Sequence, residues 1–343
     1  MTSSGEVHLV TGGAGFLGTL ITERLRARGA TVRSLDLWRD PDAHPDVDLR
    51  IGDVRDRAFV ADAMTGVDVV HHAAALVPLT KSGPEFDSVN VGGSRIVAEE
   101  AARAGVRAFV HISSSAVYGR PVDHPITSAT PARPVEIYGR AKLAGEEAVQ
   151  DVLRDGDVRL LIIRPRTILG RGRLGLYAWL FRWIRDGRGF YVIGRGDNPF
   201  QYVHADDLLD AWLLLLDEDQ QGVFAVGTDD YGTFRQGLER LIAHAGTGSR
   251  VRSVPARPAV TALKVLDRLN LSPLAPWHYL TVDAPFACDV GPLLELGWTP
   301  RWSNDAMLAA CYDEWLREGD SDGGSAHRRP VREGLLGLLR RVS

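Results

Sequence analysis

Tyr138 and Lys142 stand four residues apart in a stretch, Glu136–Leu153, whose pattern predicts a helix. Both side chains therefore leave one helix face and can converge on one point. A phenol with an ordinary pKa near ~10 is a poor base at neutral pH. An ammonium beside it favours the phenolate and brings proton transfer within reach. Lysine is scarce here, occurring only at Lys81, Lys142 and Lys264, and no other tyrosine stands four residues before one. Upstream, HISSSAVYG at His111–Gly119 ends an apolar strand in the hydroxyls of Ser113, Ser114 and Ser115. A hydroxyl there can donate to a substrate oxygen while Tyr138 exchanges its proton. The G-x-S-x-G elbow of a serine hydrolase is absent around these serines. The chemistry expected is proton exchange at an alcohol or carbonyl.

Such a pair needs a scaffold, and the N-terminal stretch VHLVTGGAGFLG at Val7–Gly18 supplies its start. Val7, Leu9 and Val10 predict a buried strand; from Phe16 and Leu17 the apolar period becomes helical, as far as Gly29. Gly12 permits a tight turn, Gly15 lets a ligand approach the main chain, and Gly18 lets helix and strand pack closely. The unpaired N–H groups of that helix start suit a pyrophosphate, so the turn is read as a dinucleotide site. The predicted strand Thr31–Asp36 ends on an acid placed for a ribose 2′-hydroxyl, which favours NAD over NADP, with Arg33 and Arg39 nearby to soften the preference. A positively charged nicotinamide would further favour the Tyr138 phenolate.

Strands are predicted at Leu49–Asp53, Val67–Ala75, Ala108–Ser113 and Arg159–Ile163, with helices at Arg55–Met64 and Pro84–Ala104. Asp53 lies where it can reach an adenine amino group. Ala73, Ala74 and Ala75 leave room at a strand end for a flat cofactor, while His71 and His72 read as packing residues. This alternation predicts an α/β fold with a doubly wound parallel (Rossmann) sheet, its ligands beyond the strand carboxyl ends. The expected division is a dinucleotide domain at 1–165, a substrate lobe at 166–317 that returns residues 203–227 to the first domain, and a linker and tail at 318–343. In the second part, helices are predicted at Leu174–Gly187, Ala205–Leu216, Phe234–Ala245 and Ala259–Leu269. Tyr191–Gly194 follows the first of these helices and leads into a loop at Arg195–Gln201; a strand is predicted at Val223–Gly227, with a turn or lid at Ser272–Trp277.

The 343 residues carry a formal net charge of −4 and 45% hydrophobic residues, which offers no basic face for nucleic acid. Two cysteines, Cys288 and Cys311, make neither a disulfide framework nor a zinc site, and no metal is expected. Residues 1–6 carry no apolar targeting core, and Trp212–Leu216 is too short to span a bilayer, so a cytoplasmic protein without an integral membrane segment is expected. Glu318–Ser325 reads as a flexible linker, and Pro330–Ser343 as a basic amphipathic tail packed on its own subunit or frayed.

TGGAGFLG, Asp36, Gly52–Val54, HHAAA, Asn90-Val91-Gly92, HISSSAVYG, YGRAK, Arg164-Pro165 and VHADDL at Val203–Leu208 together resemble the extended short-chain dehydrogenase/reductases, the NAD-dependent epimerase/dehydratase group. The likeness runs from about Val7 to Trp315, including LLELGWTPRWS near the C-terminal end. It implies Ser114 as the catalytic hydroxyl, Tyr138 as acid and base, and Lys142 as its electrostatic partner. It also implies NAD as cofactor, adenine held by Asp53 and Val54, Pro165 against the nicotinamide, and a homodimer built on paired helices, for which Ile96, Val97 and Ala101 offer an apolar face. Asn90, Ser113 and Ala73–Ala75 complete the expected cofactor site. Ser114, Ser115, Tyr138, Thr167, Arg171, Tyr177 and Gln201 are the expected substrate contacts.

Departures from the family pattern bear on the substrate. Ser115 and Ala116 replace the Asp-Glu pair of the 4,6-dehydratases, and neither can protonate a leaving hydroxyl. Thr167 replaces the common asparagine of Arg-Pro-x-Asn. Gln201 stands where many members place an arginine against a diphosphate, and Arg166, Arg171, Arg173 and Arg195 are the candidates to replace that charge. The expectation is epimerisation of a sugar nucleotide or nucleoside-type sugar through a transient ketone, with NAD regenerated. The alternatives are a dehydratase, a net dehydrogenase of a hydroxysteroid-like apolar alcohol, and a catalytically idle NAD sensor.

Overall fold

A computed structural model describes residues 5–77, 85–170, 174, 177–269, 272 and 276–319. The chain begins with β1 (Val7–Thr11), α1 (Phe16–Ala27), β2 (Thr31–Asp36), β3 (Asp48–Ile51), α2 (Arg57–Ala63) and β4 (Val69–His72). After the short α3 (Glu85–Asp87), a π-helical turn at Ser88–Gly93 runs into α4 (Ser94–Ala104), followed by β5 (Ala108–Ile112), α5 (Ile137–Leu153) and β6 (Arg159–Pro165). These strands, with β11 (Gly222–Val226), form one seven-stranded sheet in the order β11-β6-β5-β4-β1-β2-β3, every pairing parallel. β4 and β5 are buried at every position because helices cover both faces, the usual state of central parallel strands.

Two apolar layers flank the sheet. Leu17, Ile21 and Leu25 of α1 pack with Leu208, Trp212 and Leu215 on one face. Val60, Val97, Ala101 and Val149 pack on the other. Val97 and Ala101 are fully buried in that core, so they are not free to form the subunit-pairing face expected of them. His71 and His72 are likewise buried; His71 bonds His8 at 2.9 Å and His72 bonds Thr11 at 2.8 Å and Ser94 at 2.9 Å. Burial lowers His72 to about 3, with help from the Lys142 charge.

Beyond β6 the chain adds β7 (Thr167–Leu169), α6 (Tyr177–Arg185), β8 (Phe190–Ile193), β9 (Pro199–Phe200), β10 (Tyr202–His204) and α7 (Ala205–Asp217). After β11 come β12 (Gly232–Thr233), α8 (Phe234–Ala245), β13 (Val251–Val254) and α9 (Ala256–Arg268), then α10 (Pro276–Leu280), α11 (Gly291–Glu295) and α12 (Asn304–Glu318). A separate core of Phe181, Ile184, Leu238, Met307 and Trp315 joins α6, α8 and α12. Asp207 ties the two regions together: its carboxylate accepts from the Arg301 and Trp302 amides at 3.1 Å each, and its carbonyl from Trp298 Nε1 at 3.1 Å. Among the described residues no helix is long and apolar enough to cross a membrane. Both cysteines are buried and free. The tail at 330–343, most of the predicted linker and residues 273–275 of the predicted lid lie outside the described residues.

Candidate active site

The reactive groups collect where β5 and β6 end. β5 stops at Ile112, and Ser114 caps a short 3₁₀ turn, Ser115–Tyr118, its Oγ accepting from the Ala116 amide at 3.2 Å. α5 starts immediately opposite because Glu136 caps it, accepting from the Tyr138 amide at 2.7 Å and the Gly139 amide at 2.5 Å. Two glycines let α5 come this close. A Cβ on Gly139 would lie 2.7 Å from the Ala116 carbonyl oxygen, and one on Gly145 would lie 2.4 Å from that of Asn90. Sequence reasoning passed over both, although small residues flanking Tyr138 and Lys142 on one helix were the visible signal.

Lys142 is buried, and its Nζ donates to the Ile112 carbonyl at 2.5 Å. Burial, partly offset by the Glu146 carboxylate, lowers its pKa to about 8. Glu146 is fully buried, accepts from Ser113 Oγ, and is gripped by Arg164 at 2.9 and 2.5 Å. Arg164 also donates to the Tyr118 hydroxyl at 3.0 Å, so this hidden pair braces the strand end under the serine turn. Arg164 stands out in the sequence only as part of Arg164-Pro165 and Glu146 not at all, since nothing local marks a buried ion pair.

Ser113, Ser114, Ser115, Tyr138, Lys142, Leu17, Ala73, Ala75, Pro165, Thr167 and Tyr177 all line one cavity of about 860 Å³. Its other walls are apolar: Trp179, Leu180 and Trp183 from α6, Phe190–Ile193 from β8, Ala262, Leu263 and Leu266 from α9, then Trp277 and Phe286. Lys142 and Arg166 are the only charged side chains among the described lining residues. Tyr177 donates its hydroxyl to Tyr202 at 2.8 Å, and burial raises both phenols.

Gln201 is not part of this cavity. It is fully buried, donates to the Thr228 and Cys288 carbonyls at 2.7 and 3.2 Å, and accepts from the Cys288 amide at 2.9 Å. Its amide is consumed in holding three chain segments together, which corrects its assignment as a substrate contact. Arg195 is also elsewhere, paired with Asp197 at 2.8 Å on the surface. Arg171 and Arg173 lie outside the described residues.

The glycine turn has the form a dinucleotide needs. Gly12 adopts φ +71°, and a Cβ there would lie 2.7 Å from the Ala74 amide nitrogen, so only glycine closes this turn against β4's end. A Cβ on Gly18 would lie 2.0 Å from the Gly12 carbonyl oxygen, whereas Gly15 caps α1 with no side-chain bond to its first N–H groups. Asp36 accepts from the Ala14 amide at 3.1 Å and the Trp38 amide at 3.2 Å, fixing a carboxylate beside the turn. These residues fit a pyrophosphate and ribose. Phe16 opens α1, and Val54 is buried beneath the site against Gly93. Asp53 is gripped by Arg55 at 2.5 Å, and Asn90 pairs both amide atoms with the Leu76 backbone at 2.8 and 3.1 Å, shaping the loop after β4. Among the described residues no cluster of His, Cys, Asp or Glu could hold a metal.

The family model described as "NAD dependent epimerase/dehydratase family" matches residues 8–227. The chain is 32% identical over 253 residues to sterol demethylase protein B of Methylococcus capsulatus, covering 69% of this chain and 74% of that protein. It is 33% identical over 226 residues to UDP-glucose 4-epimerase of Mycolicibacterium smegmatis, covering 60% and 71% respectively. The solved Bordetella bronchiseptica enzyme WbmG in complex with NAD superposes with a TM-score of 0.76 at 22% identity, covering 95% of this chain and 99% of that one.

Proposed function

The chain belongs to the NAD dependent epimerase/dehydratase family, and from that premise we propose that it is a net dehydrogenase of a secondary alcohol carried on a large apolar skeleton. The observation that carries this reading is the cavity wall. Aromatic and aliphatic residues from α6, β8 and α9 surround the space beyond the serine turn, and among its described lining residues Arg166 is the one charged side chain besides Lys142. A diphosphate is multiply charged and heavily hydrated, and stripping its water needs several cations or N–H donors in return. Burying apolar surface returns roughly 25 cal/mol per Å², which suits a rigid hydrocarbon skeleton in the same space. The likeness to a sterol demethylase component supports this reading.

NAD, the family's cofactor, supplies a hydride acceptor when bound. The glycine turn with Gly12, Gly15 and Gly18 and the Asp36 carboxylate would hold its pyrophosphate and ribose, and Leu17, Ala73, Ala75 and Pro165 would flank the ring. Tyr138 as phenolate takes the proton from the substrate hydroxyl. Ser114 holds that oxygen by a hydrogen bond, its backbone already fixed by the 3₁₀ turn it caps. Lys142, moored to the Ile112 carbonyl, places a positive charge beneath the phenolate and lowers the cost of forming it.

The UDP-glucose 4-epimerase likeness favours a second reading, epimerisation of a nucleotide sugar with NAD regenerated. Absorbance at 340 nm separates the two. We expect net NADH from NAD-loaded protein with a hydroxysteroid panel and none with UDP-glucose. Conversion of UDP-glucose to an epimer without NADH release, alongside inert hydroxysteroids, would overturn the first reading.

A further inference from the structure

The cavity wall holds a cation that the chemistry above leaves idle. Arg166 lies just past the end of β6 and is 2% exposed. Its guanidinium carbon sits 3.9 Å from the Phe286 ring centre and 5.3 Å from that of Phe200. Nη1 donates to Ser115 Oγ at 3.0 Å. Nε and Nη2, which share one edge of the guanidinium plane, have no hydrogen-bond partner among the described residues. Among the described residues, the groups acting on it electrostatically are Cys288, Tyr177 and Tyr202, none of them a carboxylate. Burial lowers the guanidinium to about 10, so it is charged at neutral pH.

An unpaired buried charge is costly, and aromatic faces offset only a small part of that cost. Two parallel N–H groups on one guanidinium edge are the donor pattern that a carboxylate accepts in bidentate fashion. We propose that Arg166 anchors a carboxylate on the apolar substrate, so that the enzyme selects hydrophobic hydroxy acids. The proposal rests on the reading that this cavity receives an apolar alcohol. A monoanion is the match, because Arg166 is the one cation among the described lining residues beyond the catalytic lysine. Its bond to Ser115, the residue next to Ser114, places the carboxylate close to the reacting carbinol rather than at the far end of the skeleton.

The test compares 3-hydroxydodecanoate with its methyl ester, binding each to NAD-loaded protein by titration calorimetry. Wild type is expected to bind the acid at least ~10-fold more tightly than the ester, the scale of a charge-assisted bidentate pair. In Arg166→Met the preference disappears while ester affinity stays within a few-fold, and in Arg166→Lys part of it returns. A melting temperature for Arg166→Met at or above wild type is also expected, because an unpaired buried charge is removed. If Arg166→Met fails to fold, the acid–ester ratio in wild type and Arg166→Lys decides. Equal binding of acid and ester to wild type, binding of neither, or a preference that survives Arg166→Met overturns the proposal. Tight acid-selective binding with no NADH from any apolar alcohol would leave the anchor standing and refute the dehydrogenase reading instead.

Discussion

Replacing Lys142 with methionine should make the protein more stable and nearly inactive at once. The side chain is buried, and its pKa is lowered from the ordinary 10.5 to about 8, chiefly by desolvation. At roughly 1.4 kcal/mol per pH unit, that corresponds to about 3 kcal/mol held against folding at pH 7. Methionine removes this cost but leaves the Ile112 carbonyl without its donor, a loss of about 1 kcal/mol. The net gain is about 2 kcal/mol, and with unfolding entropies of roughly 2 cal/mol/K per residue this raises Tm by about 3 °C. The pH dependence follows from linkage. Between about 8 and 10.5 the unfolded wild type binds more protons at this position than the folded one, so wild-type stability rises across that window. The advantage of Lys142→Met is therefore full below pH 8 and fades as pH approaches 10.5. Calorimetric melts of nucleotide-free wild type and variant from pH 7 to 10 measure it, beside a turnover assay expected to fall at least ~10²-fold. A variant that melts below wild type at pH 7, with a gap that does not change with pH, would refute this account of the lysine.

Tyr138→Phe should lower kcat/KM at least ~10²-fold, because the group that exchanges the substrate's proton is lost; unaltered turnover removes the phenol from the mechanism. Gly12→Ala should cost at least about 2 kcal/mol and weaken NAD binding 10-fold or more, through left-handed strain and the clash with Ala74, read by melting and by nucleotide titration. Gln201→Arg should melt far below wild type, by roughly 3–5 kcal/mol, and gain no affinity for UDP, since the new charge is buried among carbonyls it displaces. A stable Gln201→Arg protein that binds UDP would reinstate position 201 as a substrate contact.

Much of the sheet was legible because its physics is local. The glycine turn, the apolar strands and the helix of Tyr138 and Lys142 announce themselves within a few residues, and α8 falls at Phe234–Ala245 as its capping residues and period imply. The helix predicted from Pro84 is interrupted by a π-turn at Ser88–Gly93, which carries Asn90 to the Leu76 backbone; that partner is fourteen residues away, and no periodicity encodes it. β7, β9, β10, β12 and β13 were missed because two to four residues hold a strand only when a distant partner pairs with them. The substrate space was least legible. Gln201 looked like a polar contact until its three bonds to Thr228 and Cys288 were placed, and the apolar wall assembles Trp183, Val192, Leu263 and Phe286 from four separate segments. Arg166 was visible as a charge following Ile162 and Ile163, yet its missing partner becomes apparent only in three dimensions.

The central claim is that an apolar alcohol, and not a sugar nucleotide, occupies the space between the serine turn and α9. Mass spectrometry of the small molecules released from freshly purified protein on denaturation tests it most directly. The expected result is NAD together with a hydrophobic hydroxy or keto compound; a stoichiometric UDP-sugar in its place would contradict the account.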